Sequence, residues 1–326
     1  MTSPKLKSNL DLINECDSFP YPHKSRQLYS QHLHTYYHLR IPTHLNTTLG
    51  YLLPSVALTL SNLPDWSVDD TSTPKTVTLT TGEDESTRSA AVEKTCLAMR
   101  ETGHFAVLEK WRGELYPVYG PGPGREVLFN IERSASPLFG VVSYGVHMTA
   151  YTGEEREVKI WVPRRSSTKQ TYPSLLDNTV AGGIPSGESP FNALLRESLE
   201  EASLPSDLVR RLAKPAGCVT YFYIRDSRAG GETGLLQPEC QYVYDLDLTE
   251  DGEGVVPTPN DDEVEGFELM GLGEVRGCLG RGEFKPNCAV VMIDFMVRHG
   301  YLNREEEGDY VEIVSRLHRF LEFPLG

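Results

Sequence analysis

Hydrophobic and aromatic positions recur every three or four residues over residues 25–39, which predicts a helix that ends before Pro42. Apolar and polar residues alternate over residues 76–80, as in a half-buried strand. Residues 90–100 have helical spacing, and the short apolar run 105–108 favours another strand. Together these elements predict a small α+β unit in the first part of the chain.

The second part of the chain interleaves β-branched and aromatic runs with helical patterns. We predict strands over residues 141–150, 158–163, 219–224 and 240–248, and helices over residues 190–202, 291–299 and 310–321. Strands and helices in mixed order are typical of a layered α/β domain. The Gly-Pro run at residues 120–124 indicates a domain edge or a long surface loop, and residues 229–234 and 250–265 are expected to be irregular.

Length, charge and composition exclude several classes of protein. The chain of 326 residues is long enough for about two domains, and its net charge of −15, from 31 basic and 46 acidic residues, repels nucleic acid and anionic lipid. The longest uncharged stretch, residues 41–64, is too polar for a membrane span, and residues 1–20 lack the pattern of a secretory or mitochondrial leader. Six cysteines without a Cys-x-x-Cys pair indicate reduced thiols. We therefore predict a cytoplasmic protein with no nucleic-acid partner and no membrane partner.

Residues 182–204 carry the clearest chemical signal, because a glycine-containing loop runs there directly into a helix. Ser189 is a suitable N-cap, and Pro190 suits the first helical position, where its missing N–H costs nothing. Gly182 and Gly183 allow the backbone to approach a bound diphosphate closely, so we predict that they contact substrate.

One face of this helix is acidic. At 100° per residue, Glu197, Glu200 and Glu201 lie within about 100° of one another, and the apolar residues lie on the other side. Clustered carboxylates repel unless a cation lies among them, and their hard oxygens suit Mg²⁺ or Mn²⁺. Arg196 can orient one of these carboxylates. The alternative interpretation of the pattern alone is an ordinary solvated helix face.

The spacing resembles the Nudix hydrolase box, which reads Gly, five residues, Glu, seven residues, then Arg-Glu-apolar-x-Glu-Glu-x-Gly-apolar. The matching positions are Gly182, Glu188, Arg196, Glu197, Glu200, Glu201 and Leu204. Ser198 replaces a usual aliphatic residue and Ser203 replaces the final glycine. The resemblance implies an α/β/α sandwich with a mixed sheet, hydrolysis of a diphosphate linkage, and Mg²⁺ or Mn²⁺ held by the three carboxylates. It also implies that Arg196 belongs to the catalytic machinery and forms an ion pair with Glu188.

Several strings outside the box resemble a narrower branch, the Nudix proteins related to the N-terminal part of fungal thiamine pyrophosphokinases. They are residues 111–112, 114–119, 132–133, 138–141, 161–166, 168–169, 172–173, 177–178, 262–264 and 284–288. This resemblance implies a small α+β accessory domain over residues 1–139, followed by a Nudix domain over residues 140–326. It further implies hydrolysis of oxidised or damaged thiamine diphosphate derivatives to the monophosphate and phosphate, which is a metabolite repair activity.

A basic and aromatic cluster precedes the box. Arg164, Arg165 and Lys169, with Trp161, could bind phosphate and a flat ring, although a solvated strand end explains the same pattern. The Nudix resemblance implies a further carboxylate outside the helix as base or ligand, and Glu263 is our candidate for the catalytic base. It lies in an acidic segment whose charges also fit a solvated loop. His147 and Lys285 are interpreted as structural residues.

Alternatives remain open at this point. The runner-up activity is hydrolysis of nucleoside diphosphate sugars or dinucleotides, because both substrate classes need only an aromatic face and polar contacts to a ring edge. A different class of protein is a Nudix-fold binding or regulatory module without turnover. The partner is expected to be a small-molecule diphosphate, and the protein a monomer or homodimer.

Overall fold

A computed structural model describes residues 6–122, 124, 126–154, 157–169, 171–249, 254–260 and 262–326. The helices in the described residues are α1 (Asn9–Cys16), α2 (Arg26–Thr35), α3 (Pro54–Leu60), α4 (Glu85–Glu101), α5 (Ser136–Phe139), α6 (Pro190–Ala202), α7 (Ser206–Leu212), α8 (Leu272–Arg281), α9 (Pro286–Arg298) and α10 (Tyr310–Leu317). The strands are β1 (Tyr37–Arg40), β2 (Gly50–Leu52), β3 (Trp66–Asp69), β4 (Thr76–Leu79), β5 (Leu115–Tyr119), β6 (Val127–Glu132), β7 (Ser143–Thr152), β8 (Lys159–Arg165), β9 (Val180–Gly183), β10 (Ala213–Ile224), β11 (Leu236–Asp247) and β12 (Val264–Gly271).

The chain divides into two compact units, each built from separate segments. Unit A consists of Ser18–Ser143, Phe222–Glu239 and Leu321–Gly326, and unit B of the chain up to Asp17, Tyr144–Tyr221 and Cys240–Phe320. The expected border between residues 139 and 140 stays a prediction, since each unit also takes in segments from the other side of it.

Unit A contains a four-stranded sheet in the order β2-β1-β4-β3 and a separate β5-β6 hairpin. β1 and β4 are parallel, whereas the pairs β1-β2 and β3-β4 are antiparallel. One continuous apolar core lies in this unit and draws residues from its strands, from α3 and from α4. The predicted small α+β unit is therefore present.

Unit B contains a mixed-order sheet, β10-β11-β7-β8-β12, with β9 paired to β7. The pairs β7-β8, β8-β12 and β7-β9 are antiparallel. α6 packs on β9, while α1 packs on α9 and α10. Arg316 and Arg319 join the end of α1 to the C-terminal segment, because both guanidinium groups bond the carboxylate of buried Asp17, at 3.0 and 2.9 Å. Among the described helices, none has both the length and the hydrophobicity of a membrane-spanning segment.

Most of the predicted elements are found, and three differ from the prediction in their type or in where they end. The helix expected over residues 25–39 ends at Thr35, since Tyr37–Arg40 joins the sheet of unit A instead. The strand expected over residues 105–108 was wrong, because Ala106–Lys110 forms a 3-10 helix that buries Val107 and Leu108. The last helix ends at Leu317 rather than residue 321, because Arg319 N–H donates to the Thr220 carbonyl at 3.2 Å.

The prediction of an irregular stretch over residues 250–265 is only partly addressed. Residues 250–253 and 261 lie outside the described residues. The end of the stretch is regular, because β12 begins at Val264 and pairs with β8.

Candidate active site

α6 begins as the sequence predicts. The Ser189 hydroxyl accepts a hydrogen bond from Asn192 N–H at 3.3 Å, and Pro190 occupies the first turn. At the other end Ser203 adopts a left-handed conformation with φ of 54°, which a glycine accommodates more easily. The hydroxyl oxygen of buried Ser198 has no hydrogen-bond partner among the described residues. Both departures from the Nudix pattern therefore carry a local cost in stability.

Arg196 lies at the centre of the box. Its guanidinium binds Glu188 through two bonds of 3.3 and 2.9 Å, so the predicted loop-to-helix ion pair is present. The same group donates to Glu197 at 2.8 Å, to Glu200 at 3.2 Å and to the Gly183 carbonyl at 3.3 Å. Glu188 first, and then Glu197, raise the pKa of Arg196 above its ordinary value, although burial acts against them. Arg196 thus fixes β9, the loop and the carboxylate face of α6 together.

Gly182 is the point at which β9 meets this face. A Cβ atom built on Gly182 would overlap the carboxylate group of Glu197. Only glycine therefore lets the strand lie directly against Glu197. Whether Gly182 and Gly183 contact substrate stays a prediction.

Glu201 lines a small pocket. Its carboxylate accepts a hydrogen bond from Ala181 N–H at 2.9 Å. The residue keeps some solvent exposure, but burial of its carboxylate, together with the nearby charges of Glu197 and Asp177, raises its pKa well above the ordinary value. Lys169 acts in the opposite direction. The pocket is lined by Pro163, Arg165, Lys169, Asp177, Asn178, Glu201, Glu263 and Val264.

Lys169 and Glu263, 94 residues apart, form an ion pair inside this pocket. The Lys169 side chain is 17% exposed and that of Glu263 is 44% exposed. The segment after β8 is held to the start of β12 by Ser166 N–H, which donates to the Glu263 carbonyl at 2.9 Å. The structure therefore brings the predicted base and one predicted phosphate ligand into contact beside Glu201.

Arg164 and Arg165 lie on opposite faces of β8. Arg165 lines the pocket and is buried, with its guanidinium bonded to Asp177 at 2.7 Å and to the backbone carbonyls of Thr171 and Tyr172. Arg164 lies on the other face of β8, where it donates to the Ser174 carbonyl at 3.0 Å. The geometry thus gives Arg165 a role in holding the pocket wall and does not bring Arg164 to the pocket.

Trp161 is partly exposed and lies two strand positions before Pro163 and four before Arg165. Because strand side chains alternate between faces, these three residues share one face of β8. Trp161 is therefore on the pocket side of the strand.

Asp177 and Asn178 were missed as pocket residues by sequence reasoning. Asp177 bonds Arg165 through one carboxylate oxygen and accepts from the Cys288 thiol at 2.6 Å through the other. Burial alone would raise the pKa of Asp177, but Lys285 and Arg165 hold it below its ordinary value. A buried Arg165 needs a buried counter-ion. The sequence signal that could have identified this counter-ion was the polar Asp-Asn pair beside an apolar stretch.

His147 is buried in β7, where we interpret it as a structural residue. Its Nδ1 shares a hydrogen bond of 2.7 Å with the Asn178 side chain. Burial, assisted by the charge of Lys285, lowers the pKa of His147 to about 4. The imidazole is therefore neutral at physiological pH.

The donor set agrees with a divalent cation. Within the described ranges, no three His, Cys, Asp or Glu side chains converge as a finished metal site, because Glu197 and Glu200 bond Arg196 instead. All the available donors are nevertheless carboxylate oxygens, and the Glu201 carboxylate is desolvated beside Glu197 and Asp177. A hard cation would relieve that repulsion. The assignment of Glu197, Glu200 and Glu201 as metal ligands stays a prediction.

Comparison with known proteins identifies the family. Residues 31–143 match a domain of unknown function, DUF4743, and residues 144–288 match the NUDIX domain. Uncharacterized protein YJR142W of Saccharomyces cerevisiae is 39% identical over 248 residues, which cover 74% of this chain and 71% of that protein. Nudix hydrolase 20, chloroplastic, of Arabidopsis thaliana is 37% identical over 216 residues. The chain belongs to the Nudix hydrolase family.

A second Arabidopsis thaliana relative, Nudix hydrolase 24, chloroplastic, is 35% identical over 216 residues. The matched regions cover 66% of this chain in both cases, and 54% and 56% of the two plant Nudix hydrolases, so the chain spans little more than half of their length. The NUDIX domain match and these Nudix relatives support a hydrolase of phosphorus anhydrides, a family whose members generally use divalent metal ions. The predicted mixed α/β fold, with a further domain before the Nudix domain, is confirmed.

Proposed function

We propose that this Nudix hydrolase cleaves the diphosphate of thiamine diphosphate derivatives, particularly oxidised or damaged forms, to the monophosphate and phosphate. The observation that carries the proposal is the pocket in which the Glu201 carboxylate, Lys169 and Glu263 lie together. A desolvated carboxylate facing an ammonium group suits a substrate that brings both phosphate charge and a metal ion.

The residues divide into roles. Glu197, Glu200 and Glu201 would hold Mg²⁺ or Mn²⁺, and the ion would supply charge neutralisation of the phosphate oxygens and acidification of a bound water. Arg196 fixes the directions of Glu197 and Glu200 through its bonds of 2.8 and 3.2 Å.

Lys169 is proposed to exchange its bond with Glu263 for one with a phosphate oxygen. The Lys169 side chain is 17% exposed, and Lys169 already lines the pocket. That exchange leaves the Glu263 carboxylate available as the proton acceptor for the attacking water. Arg165 keeps the wall of the pocket in place through Asp177.

The thiamine assignment rests on the resemblance to the thiamine pyrophosphokinase-related branch and on Trp161. An aromatic side chain on the pocket face of β8 can stack with a flat or cationic heterocycle. The proposal also includes a cytoplasmic location, a monomer or homodimer, and a small-molecule diphosphate as substrate, without a nucleic-acid or membrane partner.

The test is product analysis by ³¹P NMR after incubation with Mg²⁺. The panel contains thiamine diphosphate, its oxo and oxy analogues, ADP-ribose and NADH, with the wild type compared with Lys169→Met. We expect phosphate and the monophosphate from the thiamine compounds, and about a tenfold or greater loss in kcat/KM in the variant. Lys159→Met is the matched control, since Lys159 is exposed at the far end of β8, and it should behave as the wild type.

Other outcomes separate the parts of the proposal. Turnover of ADP-ribose or NADH alone would contradict the thiamine assignment while leaving the hydrolase class intact. Failure to cleave any compound would favour a Nudix-fold binding module.

A further inference from the structure

The segment that leads into α9 pairs with the backbone beside the pocket. Leu176 forms a parallel bridge with Phe284. Leu176 N–H donates to the Glu283 carbonyl at 2.8 Å, and Lys285 N–H donates to the Leu176 carbonyl at 2.9 Å. These two bonds fix the register between the two extended segments.

This register brings Lys285 next to Asp177. Leu176 and Phe284 lie directly opposite each other, and both side chains are buried. Because successive side chains of an extended segment alternate between its two sides, the next residues of the two segments, Asp177 and Lys285, share the other side. Asp177 lines the pocket, so the Lys285 side chain begins on the pocket side of this wall.

The carboxylate of Asp177 is fully engaged by other donors. One oxygen accepts from Arg165 at 2.7 Å, and the other accepts from the Cys288 thiol at 2.6 Å and from Asn178 N–H at 2.9 Å. The charge of Asp177 is thereby paired with Arg165. Lys285 thus adds a second positive charge to the wall that Asp177 does not neutralise through an ion pair.

Lys285 is partly buried, and its ammonium group forms no hydrogen bond or ion pair with any residue that the structure describes. Its side chain makes no capping bond to α9. Its charge nevertheless acts on the pocket wall, since burial raises the pKa of Asp177 and Lys285, ahead of Arg165, lowers it. A partly buried ammonium group without a counter-ion is unfavourable, and an anionic ligand in the pocket would supply the missing charge.

We propose that Lys285 is a second phosphate-binding cation of the pocket, and that with Lys169 it selects diphosphates that end in a free phosphate group. A terminal phosphate group carries about two negative charges near pH 7, whereas each phosphate of an internal linkage, as in ADP-ribose, carries a single charge. Two ammonium groups therefore favour the terminal phosphate. The inference rests on the proposed function, because it assigns the phosphate subsite of the same pocket. The sequence pattern favoured a structural role for Lys285, since it does not show that the residue lacks a counter-ion.

The experiment measures binding by isothermal titration calorimetry with Mg²⁺ at mildly alkaline pH. The two ligands are α,β-methylene-ADP, which ends in a free phosphonate group, and α,β-methylene-ADP-ribose, in which the same group is esterified. Neither can be hydrolysed at the methylene bridge. The wild type should bind α,β-methylene-ADP at least about tenfold more tightly than the esterified ligand, and this comparison needs no variant to fold.

Variants assign the selectivity to Lys285. Lys285→Met should weaken the binding of α,β-methylene-ADP by about tenfold or more and that of the esterified ligand by less than about threefold. Lys285→Arg keeps the charge and should retain most of the affinity. Lys214→Met is the matched control, because Lys214 is exposed on β10, at the other end of the sheet order from β12.

Kinetics give a readout that a purely structural role would not produce. With the thiamine diphosphate compounds, Lys285→Met should raise KM by about tenfold and change kcat by less than about threefold. Wild-type affinity of Lys285→Met for α,β-methylene-ADP, equal losses for the two ligands, or a wild type that binds both equally or neither would overturn the inference. Absence of turnover of the thiamine compounds, with the binding difference intact, would instead contradict the proposed function alone.

Discussion

Replacing Gly182 by alanine tests the contact between β9 and the carboxylate face of α6. The added methyl group would overlap the Glu197 carboxylate, far inside the ~3.5 Å that two carbon atoms require, so that the carboxylate must move by more than about 1 Å. Its bond of 2.8 Å to Arg196 cannot survive such a shift unchanged. We expect a loss of about 1–3 kcal/mol in the free energy of unfolding, as for other overpacked sites.

The effect on catalysis should be larger than the effect on folding. A displacement of about 1 Å in a catalytic group can cost roughly 10²-fold in rate. The assay measures kcat for phosphate release with Mg²⁺, and urea unfolding measures stability in the same preparations. Gly266→Ala is the matched control, because a Cβ at that position in β12 meets open space. Gly182→Ala activity equal to that of the control would refute the reasoning that Glu197 must occupy its present position.

Three further predictions concern single residues. A lysine at position 196 cannot reproduce the forked bonds, so Arg196→Lys should lower kcat/KM by about 10- to 100-fold, and unchanged kinetics would contradict this. The free energy of unfolding should fall by less than about 1 kcal/mol, because the Arg196 side chain is 34% exposed. Ser203→Gly should raise the stability by about 1 kcal/mol, because it removes the strain at φ of 54°. A loss of stability in thermal unfolding would contradict this. The pKa of His147 is lowered from 6.5 to about 4. The neutral imidazole therefore contributes about 3 kcal/mol to the free energy of unfolding above pH 6.5, and this contribution is lost as the pH falls toward 4. Urea unfolding of His147→Gln should therefore show a weaker pH dependence than the wild type below pH 6.5, and parallel curves would count against it.

The sequence was sufficient where the signals are local. α6 has the predicted bounds because the Ser189 cap, Pro190 and the apolar spacing all act within a few residues. The ion pair between Glu188 and Arg196 was also predictable, since both residues belong to one short motif.

Sequence patterns were insufficient where segments distant in the chain determine the secondary structure. Tyr37–Arg40 continues a helical pattern but becomes β1, because Gly50–Leu52 and Thr76–Leu79 supply strand partners. The short apolar run at residues 105–108 carries no information that separates a strand from a buried 3-10 turn.

The arrangement of the pocket residues could not be predicted from the sequence for the same reason. Lys169 and Glu263 were each predicted as site residues, but their contact depends on the pairing of β8 with β12. Asp177 could not be assigned before Arg165 was known to be buried beside it.

The most direct test of the central claim is Mg²⁺-dependent release of phosphate by wild type, Glu200→Gln and Glu201→Gln, with exposed Glu274→Gln on α8 as control. The account predicts no turnover with EDTA, recovery with Mg²⁺ or Mn²⁺, and losses of at least about 10²-fold in the two α6 variants with none in the control. Turnover that survives EDTA, or α6 variants as active as Glu274→Gln, would contradict a metal-dependent hydrolase built on this helix.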